Sequence, residues 1–276
     1  MAFILFLFLA YSGISYYYYW PLNGFSDRGN LGAFGDSFGV LTSFFSALAC
    51  IGVYATWLAQ KKANEQAKDD SKKQSEFLHE QRVESNFFQM MNFMQNMISD
   101  MDINRSVIGK DKEVKVIVIR SGRDCFSHLF IKVRKRFNNG RGGKLPSLNS
   151  DNKKEHKSAS LDCYNAVYTK FSNDLSNYFR FVYSIFRYLE TSGLKKSDIK
   201  KYAKILRAQL SDGELSFLFY NALSDKGSNF IAFAVDYELF DNLADGSLLH
   251  ADHVYLMPKK SLGKAADKYD QTLFDD

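Results

Sequence analysis

Two long uncharged apolar runs near the start of the chain limit its fold more than any other feature. Ala2 to Trp20 contains no Asp, Glu, Lys or Arg, and neither does Phe38 to Leu58. A helix needs about 20 apolar residues to cross the ~30 Å hydrocarbon core of a bilayer, so each run predicts a membrane span. The first ends in Tyr16, Tyr17, Tyr18, Tyr19 and Trp20, side chains that settle at the membrane–water boundary. A cleaved signal peptide is the rival for this run. It would want a basic leading region, which is missing, and a second run follows closely. The segment between them, Pro21 to Gly32, carries only Asp27 and Arg28, whereas Lys61, Lys62, Lys68, Lys72 and Lys73 follow the second run. Basic residues mark the cytoplasmic side, so residues 1–58 read as a two-pass transmembrane hairpin in membrane lipid, with both termini cytoplasmic. Gly35, Gly39, Ser43 and Ala47 recur every four residues on the second run. Such small faces let helices approach closely in lipid, here either the chain's own first helix or a second copy in a homo-oligomer.

The remainder reads as mainly α. Only 3 Pro interrupt 276 residues, and 25 Phe and 16 Tyr supply large side chains to a core. No Pro or Gly occurs from Leu58 to Met101, which predicts a helical stalk over 59–85 that then enters the core of a cytoplasmic domain, 86–276. Phe87, Met91, Met94 and Ile98 follow helical spacing there. Ile103 to Ile108 and Val114 to Ile119, separated by Gly109-Lys110-Asp111-Lys112, predict a small β-hairpin. Helices are expected over Asp124 to Phe137, Leu161 to Glu190, Lys196 to Leu210 and Asp212 to Leu223, with a broken one from Gly227 to Leu243. Residues 138–160, rich in Gly, Asn, Ser and Lys, read as a flexible basic insert.

Several patterns bear on chemistry. Cys50, Cys125 and Cys163 form no C-x-x-C pair, so reduced thiols are expected. There is no P-loop and no H-E-x-x-H, His250 and His253 lack companions that would complete a metal set, and no cofactor is implied. Arg123 and His128 have the R-x4-H spacing of HEPN-type ribonucleases, in which His would move protons and Arg would hold phosphate; the alternative is an Arg at a helix start and a His on a helix surface. Lys132, Arg134, Lys135, Arg136 and Arg141 form a dense basic run. It would serve nucleic-acid phosphates or anionic headgroups, or simply keep a loop solvated. Ser211 and Glu214 have the spacing of a capping box. Arg180, Arg207, Ser211, Glu214, Tyr220 and Asn221 are the candidates for a functional or core polar cluster.

Ordered along the chain, these segments resemble one family, the AbiC-type phage abortive infection proteins. The resemblance rests on Gly32-Ala33-Phe34-Gly35-Asp36-Ser37-Phe38-Gly39 running into Ser43 to Ala49, and on Glu84-Ser85-Asn86-Phe87-Phe88. It continues through Gly122-Arg123 with Phe126, Tyr178-Phe179-Arg180, Arg207-Ala208-Gln209-Leu210-Ser211 with Glu214-Leu215, Phe219-Tyr220-Asn221, and Leu239-Phe240-Asp241-Asn242-Leu243. The resemblance implies anti-phage defence, often ending in death or arrest of the infected cell, and implies no particular reaction; together with the apolar runs it gives a location in the bacterial cytoplasmic (inner) membrane. It leaves three activities open: a sensor and effector without catalysis, a membrane-tethered ribonuclease or nucleic-acid-binding effector, and a module that captures a phage component. A partner defence protein is compatible with each.

Overall fold

Helices dominate the computed structural model, which describes residues 2–19, 28–108 and 114–274. The chain divides into two units, Met1–Phe77 and Leu78–Asp276.

The first unit holds α1 (Ala2–Tyr19) and the leading part of α2 (Arg28–Ser99). Phe8 and Tyr11 of α1 each lie with their ring centroid 6.2 Å from that of Phe38. Phe8 lines a shallow groove with Phe38, Leu41, Thr42, Phe45, Ser46 and Ala49. The bulky side of α2 therefore meets α1, while Gly39, Ser43 and Ala47 are exposed. Ser43 Oγ returns its proton to the Gly39 carbonyl at 2.8 Å, the local bond a hydroxyl makes when no other acceptor is near.

Among the described residues one helical stretch is long and apolar enough to cross a membrane, Phe38–Ser99, and none of its apolar window is buried. The expected pair of spans is thus corrected to one. The reason is partly length: over the described residues α1 has 18, about 27 Å at 1.5 Å each, at the lower edge of what a ~30 Å core takes. It is partly continuity, because nothing after Leu58 breaks the backbone and the second run is the beginning of a 72-residue helix. Trp20, the segment Pro21 to Asp27 and the hairpin turn Gly109 to Lys112 lie outside the described residues. Every residue from Ser46 to Arg82 is exposed, and Val83 is the first buried one.

In the second unit, Val83, Phe87, Met91, Met94 and Ile98 bury one stripe of α2. The expected hairpin follows, with β1 (Asp102–Ile108) antiparallel to β2 (Val114–Ser121) and a register shift at Ile103/Asn104. Then come α3 (Asp124–Asn139), α4 (Lys153–Lys170), α5 (Ser172–Thr191), α6 (Lys196–Gln209), α7 (Asp212–Leu223) and α8 (Phe230–Asp236). The chain closes in 3-10 turns over Ala251–Leu256, Lys259–Lys268 and Gln271–Leu273.

Two boundaries differ from the sequence reading. The helix expected over Leu161 to Glu190 is broken at Phe171 (φ −119°, ψ 28°), ahead of Ser172-Asn173-Asp174, residues whose side chains compete for backbone bonds. Residues 153–160, expected in the basic insert, are the first turns of α4. Asn149 and Asn152 prepare that start: Asn149 Oδ1 accepts from the amides of Asp151 and Asn152, and Asn152 Oδ1 accepts from the Asn149 amide, the local bonding that makes Asn a turn former.

α7 is the central helix. Every residue from Gly213 to Leu223 is buried, and a helix apolar on all sides can only be covered on all sides. Phe217 sits at its middle, its ring 5.6 Å from Phe130, 5.9 Å from Tyr164 and 6.3 Å from Phe126, so α3 and α4 meet on it. Truncating a fully buried Phe typically costs about 3–5 kcal/mol, because lost transfer energy is joined by a cavity. Phe217→Ala is expected to lower the detergent-solubilised protein's unfolding free energy by that amount, whereas Phe93→Ala, whose side chain is 55% exposed, should change it by less than about 1 kcal/mol. Urea titration followed by far-ultraviolet circular dichroism measures both.

Candidate functional site

A buried helix start leaves amide groups that water cannot reach. In α7 the capping box read from the sequence meets this need: Ser211 Oγ accepts from the Glu214 amide, and Glu214 Oε2 accepts from the Ser211 amide at 2.8 Å. Glu214 is wholly buried. Its other oxygen accepts from the Tyr178 hydroxyl at 2.7 Å, and burial together with the Glu214 charge pushes that phenol well above its ordinary range. Arg123 approaches Glu214 Oε2 to 4.0 Å and donates to Gln95 Oε1 at 2.9 Å. The ring of Phe126 lies 4.7 Å from that of Tyr178. Gly122, at φ +60°, makes the left-handed turn that starts α3 beside this group, a conformation glycine adopts without strain. Gly122, Arg123, Phe126, Tyr178, Ser211 and Glu214 come from three separate motifs and converge on one carboxyl group.

The other candidates are distributed elsewhere. Arg207, mostly buried, donates to the Glu238 carbonyl at 2.7 Å and pairs with Asp241 at 3.2 Å; Asp241 in turn accepts from the Ala265 amide. This clamp holds the closing motif against α6 and explains Glu238, the one non-glycine residue at positive φ among those described.

Tyr220 belongs to a buried chain whose protons can be ordered from its far end. The Pro146 carbonyl can only accept, and His156 Nε2 lies 2.9 Å from it, so that nitrogen carries the proton. His156 Nδ1 then accepts from His253 Nε2 at 3.2 Å, and His253 Nδ1 accepts from the Tyr220 hydroxyl at 2.7 Å. Tyr220 itself accepts from the Leu249 amide at 2.9 Å. The chain is satisfied only with both imidazoles neutral. Burial first, then the nearby His156 and His250, pushes His253 down to about 3, and burial also lowers His156. Asp252 sits 3.6 Å from His250, and Glu155 and Arg134 complete the charged groups around the chain. Among the described residues no group of three or more His, Cys, Asp or Glu could hold a metal ion. His156, hidden in the expected loop, had no motif to mark it.

The basic run is divided between structure and surface. Arg134 Nη2 donates to the carbonyls of Gly246 and Ser247 at 2.8 Å and of Leu248 at 3.2 Å, and Arg141 pairs with Asp162 at 3.1 Å. Lys135 and Arg136 are exposed. Lys132 and Lys170 place their ammonium groups 5.3 and 5.9 Å from the centre of the same Phe171 ring. Partial burial and Lys170 lower Lys132. His128 is half-buried, makes no hydrogen bond among the described residues, and is lowered by burial and then by Lys132, Arg120 and Lys135. It is thus a neutral imidazole on a cationic face, while Arg123 is committed to Gln95 and Glu214. Arg180, exposed on α5, bonds among the described residues only within its own helix, to Asn177 Oδ1 at 2.6 Å and to the Ser176 carbonyl. Asn221 donates to the Tyr164 hydroxyl at 3.0 Å. Arg180 and Asn221 line one cavity.

Two predictions follow from this bonding. Glu214→Ala strands the Tyr178 hydroxyl and the Ser211 amide in the core and is expected to cost about 3 kcal/mol or more; Arg123→Ala, losing a half-exposed and longer contact, should cost under about 1 kcal/mol. Urea titrations of both variants measure the difference. For His253 the folded value lies below the unfolded one near 6.5. The unfolded chain therefore takes up the proton first, and stability is complete above pH 6.5 and falls as pH drops toward 3. At pH 5 this histidine alone accounts for about 2 kcal/mol. Thermal melting from pH 7.5 to 5 should show a fall that His253→Gln, which cannot take a proton, makes shallower while lowering the melting temperature at pH 7.5.

No curated protein and no solved structure matches the chain. Residues 170–248, which carry α5 to α8 with Tyr178, Arg180, Arg207, Ser211, Glu214, Tyr220 and Asn221, match the model of the family described as "putative phage abortive infection protein", the family that the motif series resembles.

Proposed function

We propose that the protein is an abortive-infection defence protein held in the bacterial cytoplasmic membrane, acting as sensor and effector at its cytoplasmic face. The family match over 170–248 carries the defence part of this reading. The unburied apolar stretch of α2 from Phe38 supports the membrane part, and the lysines that follow Leu58 favour a cytoplasmic second unit. The exposed Gly39, Ser43 and Ala47, on the side of α2 away from Phe8 and Tyr11, favour association between copies in lipid. Infection would shift that assembly, and its effect would be membrane damage or recruitment of a partner defence protein.

A second reading has its own support. The uncompensated cations Lys132, Lys135 and Lys170 beside neutral His128 are suited to a phosphate backbone, which favours a nucleic-acid-binding or ribonuclease activity in place of membrane damage. His128 lies outside the family-matched segment.

Phage challenge at low and high multiplicity separates these readings in cells expressing equal amounts of each form. The wild type is expected to protect the culture at low multiplicity and to let it collapse at high multiplicity. The pair Ile51→Lys and Val53→Lys, placing charge in the apolar stretch, should abolish protection by 10-fold or more in plaque count. His128→Ala should leave protection intact under the first reading and remove it under the second. Absence of protection by the wild type across a broad phage panel would sink the defence reading.

A further inference from the structure

Of the motif side chains, Arg180 and Asn221 meet in a cavity of about 440 Å³, formed by α4, α5, the C-terminal half of α7 and the turn Lys226 to Phe230. The packing of the fold accounts for Glu214, Tyr178, Arg207 and Tyr220, but it makes no use of the Arg180 guanidinium. That group is held in place by Asn177 and the Ser176 carbonyl through Nη2 and Nε, while its Nη1 makes no hydrogen bond among the described residues.

The lining has one charge sign. Lys226 also lines the cavity, with its ammonium 4.7 Å from the Tyr168 ring centre, and makes no ion pair among the described residues. No Asp or Glu lines the space. Two positioned cations without an acid suit a phosphate group, which a guanidinium binds through paired N–H donors. The walls ask for more than phosphate. Tyr183, half-buried, lines the cavity together with Phe179 and Phe230, which are 6% and 3% exposed; a small inorganic anion would leave the open face of Tyr183 wet, and a flat aromatic group would cover it. At the rim the exposed Asn229 carries a side-chain amide with no hydrogen bond among the described residues, one donor and one acceptor side for the edge of a base. The floor is close-packed. A Cβ on Gly227 would collide with Asn221 Oδ1 and with the Asn221 carbonyl oxygen, so only glycine fits there.

We propose that this cavity binds a nucleotide, with the phosphate at Arg180 and Lys226 and the base against Tyr183. Its volume lies in the range of small-ligand sites. The inference stands apart from the defence reading, since it is tested on purified protein without phage.

The test is isothermal titration calorimetry on the full chain in phosphatidylcholine nanodiscs. The probes are AMP, GMP, CMP and UMP, with adenosine, inorganic phosphate and glycerol 3-phosphate for comparison. At least one nucleotide is expected to bind with Kd below about 1 mM. Arg180→Gln and Lys226→Gln, both exposed positions, should each weaken it about tenfold or more with unchanged melting temperature, and Lys204→Gln should not. Adenosine should bind at least about tenfold more weakly than AMP. The proposal is overturned if no nucleotide binds at about 5 mM, or if neither Arg180→Gln nor Lys226→Gln weakens binding. It is also overturned if inorganic phosphate or glycerol 3-phosphate binds as tightly as the best nucleotide, which would make the cavity an anion or headgroup site.

Discussion

The second unit is organised by a helix that has no wet side. Burying α7 from Gly213 to Leu223 brings much apolar surface out of water, and with it the polar start of the helix. Orphan amides at such a start cost far more inside a protein than at its surface. Ser211 and Glu214 answer this locally, but Glu214 is itself a buried carboxyl group and needs donors of its own. Tyr178 from α5 supplies one and Arg123 from the start of α3 comes near. A single requirement, capping a buried helix, thus ties three helices together. It also explains why short motifs far apart in sequence share a destination, since each brings one group to the same carboxyl.

The C-terminal segment is attached on a different principle. It contains little regular structure beyond 3-10 turns, so few of its carbonyls are bonded by a helix ladder. Side chains take up the deficit: Arg134 collects the carbonyls of Gly246, Ser247 and Leu248, Arg207 takes that of Glu238, and the Tyr220–His253–His156 chain reaches Pro146. The arginine bonds among these are charge-assisted, the stronger kind available to a protein, and together with the neutral chain they fix an irregular segment that apolar packing by Leu249, Val254 and Met257 would otherwise hold with less directional control. The same arrangement makes the segment sensitive to acid, because a second proton on His156 would set its Nδ1–H against the His253 Nε2–H, and one on His253 would set its Nδ1–H against the Tyr220 hydroxyl proton.

The sequence made much of this visible. Helical spacing of Phe87, Met91, Met94 and Ile98 marked the buried stripe of α2, the β-branched run at Val114 marked the hairpin, and Ser211 with Glu214 marked the start of α7. These signals are local, set by periodicity or by a three-residue spacing. What stayed hidden is contact across long separations. Nothing near Pro146 announces that it accepts from His156, or that His156 meets His253 97 positions later. The basic run looked uniform in sequence, yet the fold spends Arg134 and Arg141 on internal bonds and leaves Lys132 and Lys135 outward. The two-pass hairpin failed for a different reason. Composition alone qualifies both apolar runs, whereas helix length separates the 18 residues of α1 from the uninterrupted α2.

These divisions change what a motif residue means in this chain. Tyr178, Ser211 and Glu214 are each accounted for by the burial of α7, and any chain with that helix at its centre would need equivalents. Arg180 stands next but one to Tyr178, yet faces the other way, toward water, where a Ser or Gln would serve the helix as well. Stability thus gives no reason for a guanidinium at that position. Nor does it require an unpaired lysine at 226 beside a glycine forced by Asn221. Most polar groups of the core close on one another, with Gln95 Nε2, Arg134 Nε, Arg207 Nε and Ser247 Oγ left without a hydrogen bond among the described residues, and exposed charged groups remain where the fold is already satisfied. In this unit that condition is met at the α5 face around Arg180 and on the α3 face around Lys132. The two differ in shape: the first is concave with aromatic walls and suits a small molecule, and the second is a helix surface and suits an extended polyanion.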